Sequence, residues 1–119
     1  MRLVVVDDDQ DIRLLLRTTL KLEGFEILGE AVNGADAVGL VEELQPDGVV
    51  LDVMMPVMDG LSALPAIKRA APGARVVLYS SVDVYSVREE AERLGAHQVV
   101  PKNAGTAALA AALRSDRPG

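Results

Sequence analysis

The residues most able to do chemistry stand directly after short apolar runs of the sequence, and they are Asp7, Asp8, Asp52, Ser80 and Lys102. Carboxylates brought close together repel one another, and a divalent cation such as Mg²⁺, which prefers oxygen ligands, relieves that repulsion. A lysine ammonium and a serine hydroxyl beside the carboxylates would donate to phosphate oxygens. A carboxylate can itself be a nucleophile, so the set as a whole suggests phosphoryl transfer onto an aspartate.

Each of these residue types has a simpler explanation when it occurs alone. A single aspartate at a strand-to-helix junction usually caps the helix, and we assign that role to Asp9 and Asp59. A lone lysine usually lies solvated on the surface, and a lone serine is as often a turn hydroxyl as a functional one. The functional interpretation therefore depends on the acids, the hydroxyl and the lysine occurring together at strand ends.

The elements that must position these residues alternate along the chain. Apolar runs typical of strands buried on both faces are each followed by a segment with helical periodicity, and Gly, Pro or Asn-Gly separates them. Five such pairs indicate an α/β domain with a parallel sheet and helices on both faces. The predicted strands are 3–6, 25–31, 48–51, 76–79 and 99–100, and the last predicted helix is 106–113.

Right-handed crossovers restrict how five such units can assemble. The pattern predicts a doubly wound (βα)5, flavodoxin-like domain with a five-stranded parallel sheet in the order 2-1-3-4-5. In that order, the direction of winding reverses between strands one and three. Ligands of open α/β sheets bind outside the carboxyl ends of the strands at such a point. Asp7 and Asp8 follow strand one and Asp52 follows strand three, so the three aspartates are expected to converge there.

Composition limits the classes of function that the chain could have. Its 119 residues, half of them hydrophobic, suit one domain. The absence of cysteine excludes disulfides and cysteine-ligated metals, and the single histidine, His97, is expected at the surface. The formal net charge of -6 argues against direct nucleic-acid binding by this domain. Because no apolar run approaches the roughly 20 residues of a membrane helix, we predict a cytoplasmic protein without membrane contact.

Four segments of the sequence together match a known family. They are VVVDDD at 4–9, LDVMMPVMDG at 51–60, YSS at 79–81 and VPK at 100–102. In this order and at strand ends, they resemble response-regulator receiver domains of two-component signalling, over nearly the whole chain. The resemblance implies a receiver domain over residues 1–114, with residues 115–119 as a tail or the start of a linker.

The same resemblance implies a phosphorylation chemistry and its residues. Asp52 would be the phosphoacceptor, Ser80 the switch hydroxyl and Lys102 the phosphate-binding lysine. The donor would be a sensor histidine kinase or a phosphotransfer protein. Beyond accepting the phosphoryl group and slowly removing it again, the domain would not be an enzyme.

A Mg²⁺ ion is the cofactor that the resemblance implies. Asp8 would bind the ion directly, and Asp7 would act largely through water. Asp52 and the backbone carbonyl of Met54 would complete the protein ligands. Phosphorylation would then change the face formed by helix four, strand five and helix five, which would contact an output domain, a second copy of the chain or another protein.

The sequence departs from the usual receiver pattern at two positions. Many receivers carry an aromatic residue three positions before the lysine, and Val99 stands there in this chain. Many also have proline directly after the lysine, whereas this chain has Asn103. The Val-Pro-Lys-Asn pattern resembles receivers attached to helix-turn-helix domains of the NarL/FixJ kind, although nothing in the chain resembles the DNA-binding domain itself.

Two other functions are compatible with parts of the sequence. A degenerate receiver would bind its partner without phosphorylation, and Val99 keeps this alternative open. A phosphatase with an aspartate nucleophile and Mg²⁺ also carries an acid after its first parallel strand. That class normally needs loops or a cap that enclose the substrate, and the connections predicted for this chain are short.

Overall fold

A computed structural model describes residues 1–118 of the protein, which form a central parallel sheet with helices on both faces. The strands are β1 (Arg2–Val6), β2 (Glu26–Ala31), β3 (Gly48–Leu51), β4 (Arg75–Ser80) and β5 (Gln98–Pro101). The α-helices are α1 (Gln10–Leu22), α2 (Gly34–Leu44), α3 (Gly60–Ala70), α4 (Val84–Arg93) and α5 (Thr106–Arg114), and a short 3₁₀ helix covers Lys102–Ala104.

The strand order is β2-β1-β3-β4-β5, and all four strand pairs are parallel. The predicted fold class and strand order are therefore confirmed. Val6 of β1 pairs with Leu51 of β3, so these two central strands end side by side. The residues that follow them, Asp7 and Asp52, emerge at the same edge of the sheet.

The continuous apolar strands are explained by a core on each face of the sheet. Val4 and Val6 contribute to one buried cluster, while Leu3 and Val5 contribute to the other. Helices α2, α3 and α4 cover the first face, and helices α1 and α5 cover the second. Because successive side chains of a strand point to opposite faces, every residue of such a strand must be apolar.

Aspartate and asparagine side chains fix the starts of four helices. Asp9 accepts a hydrogen bond from the Asp11 amide at the start of α1, and Asp59 accepts one from the Ser62 amide at the start of α3. The capping roles predicted for Asp9 and Asp59 are confirmed. Asn33 and Asp83 cap α2 and α4 in the same way. These caps place the loops before α1 and α3 in defined positions, and both loops border the site.

Pro65 lies inside α3, which continues through it to Ala70. One local expectation differs from the structure. His97 is half-buried rather than a free surface residue, because its ring hydrogen-bonds to the Ser115 carbonyl. Contacts between a strand end and the segment after α5 are set by the tertiary fold, so local sequence patterns do not indicate them.

The segment that follows α5 contacts the amino ends of two strands. Arg75, the first residue of β4, forms an ion pair of 2.6 Å with Asp116, and Gln98, the first residue of β5, donates to the Arg117 carbonyl. The division into a domain over 1–114 and a tail over 115–119 remains a prediction, and Gly119 lies outside the described residues. No helix within residues 1–118 is long and apolar enough to cross a membrane.

Candidate functional site

Three carboxylates meet at the carboxyl edge of the sheet. One oxygen from each of Asp7, Asp8 and Asp52 can be chosen so that all three lie within 4.8 Å of one another. Asp7 and Asp52 are buried, with side chains 2% and 5% exposed, while Asp8 is exposed. The convergence of the three aspartates is thus as predicted from strand order. We call this cluster, together with Lys102, the acidic corner.

The backbone around Asp52 is held closely by its neighbours. Its amide donates to the Val6 carbonyl of β1 over 3.0 Å, and the Gly60 amide donates to the Val53 carbonyl over 2.9 Å. A Cβ atom on Gly60 would lie only 2.1 Å from the Asp52 carbonyl oxygen. Only glycine permits this approach, so the Asp59-Gly60 pair at the start of α3 holds the loop against the end of β3.

The polar groups of Asp7 are bonded on several sides. Its amide donates to the Ala31 carbonyl of β2, and its Oδ1 accepts from the Asp9 amide. Its Oδ2 lies 2.9 Å from the Lys102 ammonium, and its carbonyl accepts from Arg13 over 2.8 Å. These bonds fix both the backbone and the carboxylate of Asp7 before any ligand binds.

Asp52 has one bonded and one unbonded carboxylate oxygen. Oδ2 lies 3.4 Å from the Lys102 ammonium, whereas the buried Oδ1 has no hydrogen-bond partner among residues 1–118. Burial and the neighbouring Asp7 charge raise the pKa of Asp52, and Lys102 opposes this shift. A buried carboxylate oxygen without a partner is costly to ionise, so it is suited to receive a cation or to react.

Lys102 is the cation of the acidic corner. It follows the edge strand β5 and begins the 3₁₀ helix, and Tyr79 donates its hydroxyl proton to the Lys102 carbonyl over 3.3 Å. Burial alone would lower the pKa of Lys102. The hydrogen bonds and charges of Asp7 and Asp52 outweigh burial, so its pKa is raised. The ammonium therefore stays protonated between the two buried carboxylates.

Ser80 is the last residue of β4 rather than the residue after it, and it is fully buried. Its hydroxyl oxygen accepts a hydrogen bond from the Val82 amide over 3.1 Å. Since that bond uses only a lone pair of the oxygen, the hydroxyl proton remains available for donation. Ser80 is thereby tied to the loop that leads into α4.

An open cavity of about 560 Å³ lies beside Ser80 and Lys102. It is bordered by the β4–α4 loop, the start of α4 and the segment after β5. Tyr85, the second residue of α4, lines the cavity and is 86% exposed. We call Ser80 with the β4–α4 loop and Tyr85 the hydroxyl side of the site.

Val99 occupies the position where many receivers carry an aromatic residue. It is buried in the core cluster that includes Leu78 and Val87. Sequence reasoning did not single out Tyr85, although the chain has only three aromatic residues. Its exposed place beside the cavity depends on how α4 packs, which local periodicity does not specify.

Two other residues from the sequence analysis, Met54 and Asp59, lie near the acidic corner but outside the cluster of three carboxylates. Met54 is 63% exposed in the loop after Asp52, and the metal-ligand role of its carbonyl stays a prediction. Asp59 caps α3 and is outside the cluster of three carboxylates. Between them, Val57 has a φ of 69°, and the Met58 amide donates to the Pro56 carbonyl, which forms a tight three-residue turn.

Sequence reasoning also missed a basic contact to the acidic corner. Arg13 lies on α1, and its guanidinium reaches both the Asp7 carbonyl and the Glu30 carboxylate of β2. Arg13 stands on the helix turn after the acids, but no spacing rule distinguishes it from Arg17, which lies one turn later. Both arginines pair with Glu30 in the structure, and the bond to the Asp7 carbonyl is what distinguishes Arg13.

The comparisons with known proteins agree on one family. The model of the response regulator receiver domain family matches residues 3–114. A chemotaxis protein CheY from Thermotoga maritima is 35% identical over 101 residues, which cover 85% of this chain and 84% of that protein. A chemotaxis protein CheY from Bacillus subtilis is 38% identical over the same length, with the same coverage.

Two solved structures show the same similarity in three dimensions. A DNA-binding response regulator of the LuxR family from Staphylococcus aureus has a TM-score of 0.86 and 30% identity, and 93% of each chain is covered. The CheX–CheY–BeF3–Mg complex from Borrelia burgdorferi has a TM-score of 0.88 and 27% identity, covering 94% of this chain and 85% of that chain.

Proposed function

The chain belongs to the response regulator receiver family of two-component signalling, and we propose that it is a switch that accepts a phosphoryl group on Asp52. The observation that carries this proposal is the buried Asp52 carboxylate, which has one unbonded oxygen and lies beside two further acids and a lysine. A receiver is a signalling module, so its output is a change of contacts rather than turnover of a substrate.

In the proposed reaction, one carboxylate oxygen of Asp52 attacks phosphorus and forms an O–P bond. When the donor is a phosphohistidine, the P–N bond breaks and its electron pair stays on the ring nitrogen. The donor leaves as neutral imidazole if its other ring nitrogen carries the proton. The product is an acyl phosphate on Asp52, and attack by water on phosphorus later releases phosphate and restores the carboxylate.

We propose that Mg²⁺ is the cofactor, held by Asp7, Asp8, Asp52 and the Met54 carbonyl. The donor set suits a hard cation, because three carboxylates converge within 4.8 Å and Asp52 Oδ1 has no partner in the described chain. The Borrelia complex, which holds Mg with BeF3, supports this choice. When bound, Mg²⁺ would neutralise charge on the phosphoryl group.

Lys102 and Ser80 would receive the phosphoryl oxygens. The Lys102 ammonium already lies 3.4 Å from Asp52 Oδ2, so a phosphoryl group on Asp52 would meet a fixed positive charge. The Ser80 hydroxyl retains a free proton that can be donated to a second oxygen. Movement of Ser80 toward that oxygen would pull on the Val82 amide and so displace the β4–α4 loop.

The partners follow from this chemistry. A sensor histidine kinase or a phosphotransfer protein would supply the phosphoryl group. The face of α4, β5 and α5 would then contact an output domain, a second copy of the chain or another protein. The LuxR-family neighbour is described as DNA-binding, and the resemblance to NarL/FixJ receivers makes an attached output domain of that kind the first candidate to look for.

Intact mass spectrometry tests the proposal directly. The protein is incubated with Mg²⁺ and a small acyl phosphate, with Asp52→Asn and a chelated sample as controls. We expect one added phosphoryl group in the native protein and none in either control. An adduct that persists in Asp52→Asn would contradict the assignment of the phosphoacceptor.

A phosphorylation-independent interaction module is the second candidate, and the buried Val99 is the observation that favours it. In many receivers the aromatic ring at this position turns inward when the switch hydroxyl moves. Val99 has no ring, so this response to a movement of Ser80 cannot occur. If the native protein takes no phosphoryl group from either the small donor or a kinase, this second function replaces the first. Equal partner binding by the native protein and Asp52→Asn would point the same way.

A further inference from the structure

We propose that Arg13, anchored by Glu30, is a positioning residue that fixes the Asp7–Asp8 backbone for cation binding. The inference rests on the proposed Mg²⁺ site and adds a part to it. Nothing in the three-carboxylate cluster itself requires an arginine, and a cation beside a metal site would by charge alone weaken metal binding. The contacts of the Arg13 guanidinium indicate a role for it beside the site.

The Arg13 guanidinium connects two elements. Nη1 donates to the Asp7 carbonyl over 2.8 Å, and Nε lies 3.3 Å from Glu30 Oε1. The side chains of Arg13 and Glu30 are only 17% and 22% exposed. A planar guanidinium that is mostly buried and held at two points has little freedom, so the Asp7 carbonyl that it bonds is held in one orientation.

Holding the Asp7 carbonyl determines the orientation of the peptide that leads to Asp8. The Asp7 amide is already bonded to the Ala31 carbonyl, next to Glu30 on β2. Both main-chain polar groups of Asp7 are therefore connected to neighbouring residues of β2, one directly and the other through Arg13. Asp8 has an exposed carboxylate, so its direction depends on this fixed backbone.

Arg17 provides a matched control. Its Nη1 lies 2.7 Å from Glu30 Oε2. Arg17 therefore pairs with the same carboxylate as Arg13 and carries the same positive charge. No hydrogen bond from Arg17 to Asp7 occurs in the described part of the chain. A change that affects only net charge or the α1–β2 ion pairs should therefore appear in both arginine variants.

The test compares Arg13→Met with Arg17→Met by calorimetric titration with Mg²⁺. We expect Arg13→Met to weaken Mg²⁺ binding by about tenfold, as is common when a partner of a metal ligand is removed. Arg17→Met should bind Mg²⁺ as the native protein does. Unchanged or tighter binding in Arg13→Met would overturn the proposal, since simple charge repulsion predicts tighter binding.

Rates of phosphoryl adduct formation give a second readout. In Arg13→Met, the Mg²⁺ concentration for half-maximal rate should rise about tenfold, while the rate at saturating Mg²⁺ stays close to that of the native protein. A fall in the saturating rate with unchanged Mg²⁺ dependence would contradict a positioning role. Circular dichroism and thermal melts show whether each variant is folded.

Arg13→Lys covers the case in which Arg13→Met does not fold. It keeps the charge and the aliphatic stem, but a single ammonium cannot take the place of Nε and Nη1 together. We expect weaker Mg²⁺ binding here too, and native affinity would overturn the proposal. If the native protein itself binds no Mg²⁺, the proposed cofactor fails, whereas native binding with an unaffected Arg13 variant refutes only the positioning role.

Discussion

The acidic corner and the hydroxyl side of the site differ in how much of their polar surface is bonded in advance. In the acidic corner, Asp7 is bonded at its amide, its carbonyl and both carboxylate oxygens. On the hydroxyl side, Ser80 accepts one bond from Val82 and borders an open cavity, beside an exposed Tyr85.

This difference assigns different tasks to the two regions. A fixed set of charges supports phosphoryl transfer, because the groups need no reorganisation when charge develops. A loop with few bonds and an adjoining cavity can take a second arrangement at small cost in free energy. Under the proposed function, chemistry and switching would therefore be separated in space, although both would involve a phosphoryl group on Asp52.

The largest expected effect is the loss of the cation from the acidic corner. Lys102→Met leaves the buried Asp7 and Asp52 without their ammonium partner, and we expect a loss of about 3 kcal/mol in the free energy of unfolding. Added Mg²⁺ should restore part of this loss. Urea unfolding with and without Mg²⁺ measures both. The exposed Lys21→Met is the control, with an effect within about 0.5 kcal/mol.

A loss of unfolding free energy below about 1 kcal/mol for Lys102→Met would contradict the proposed difference between the acidic corner and the hydroxyl side. It would mean that water compensates the two carboxylates as it does for exposed ion pairs. The acidic corner would then be no more tightly arranged than the hydroxyl side.

A smaller loss is expected when the close approach behind Asp52 is blocked. Gly60→Ala would place a Cβ atom 2.1 Å from the Asp52 carbonyl oxygen, so the loop must move. We expect a loss of about 2–3 kcal/mol. Gly39→Ala in α2 meets no described atom within 4 Å beyond its own helix and should stabilise by up to about 1 kcal/mol. Equal unfolding free energies for the two variants would contradict this prediction.

The pH dependence of stability tests the charge at Asp52. Burial, together with the Asp7 charge, raises the pKa of Asp52 in the folded protein above the ordinary 3.8 of the unfolded chain. At pH values between the unfolded and the folded pKa, the folded protein therefore binds more protons than the unfolded chain. Stability from this group therefore falls as the pH rises through that range. Asp52→Asn removes the ionisation, and the pair of Lys102 with Asp7 remains.

Without Mg²⁺, we accordingly expect Asp52→Asn to be more stable than the native protein near neutral pH. The difference should shrink as the pH falls toward 3.8. Urea unfolding of both proteins over this pH range measures it. A native protein that is the more stable of the two near neutral pH would show that Lys102 outweighs burial at Asp52.

The smallest effects are expected on the hydroxyl side. Ser80→Ala removes the acceptor of the Val82 amide and should cost about 1 kcal/mol. Tyr85→Ala removes an exposed ring and should change stability by less than about 0.5 kcal/mol. Thermal melts measure both. If either variant loses as much stability as Lys102→Met, the hydroxyl side is not more loosely bonded than the acidic corner.

Much of the fold and the acid cluster could be predicted because the signals are local. Strands buried on both faces need uninterrupted apolar residues, as at Leu3–Val6, and polar residues then mark where such strands end. Helix caps are equally local, and Asp9 and Asp59 were identified by their position alone. Strand order followed from the handedness of crossovers, and it brought Asp7 and Asp52 together.

What could not be predicted depends on contacts between distant elements. Arg13 and Arg17 look alike in the sequence, and both pair with Glu30 of β2, but only the folded structure shows that Arg13 also bonds the Asp7 carbonyl. The turn at Val57, with φ of 69°, is unexpected for a branched side chain, and the hydrogen bond from the Met58 amide to the Pro56 carbonyl closes it. The cavity beside Tyr85 is a gap between packed segments, which no residue pattern encodes.

The place of Lys102 at the end of an edge strand has a consequence for folding and local opening. The acids emerge from the central strands β1 and β3, whereas β5 has a single strand neighbour, β4. Edge elements with fewer neighbours open more readily than central ones. Opening of β5 and α5 alone would remove the lysine and leave the three acids in place. Hydrogen exchange should therefore reveal a partly unfolded species in which β5 and α5 are open. This species would keep the three carboxylates together but would lack Lys102, the residue proposed to contact the phosphoryl group.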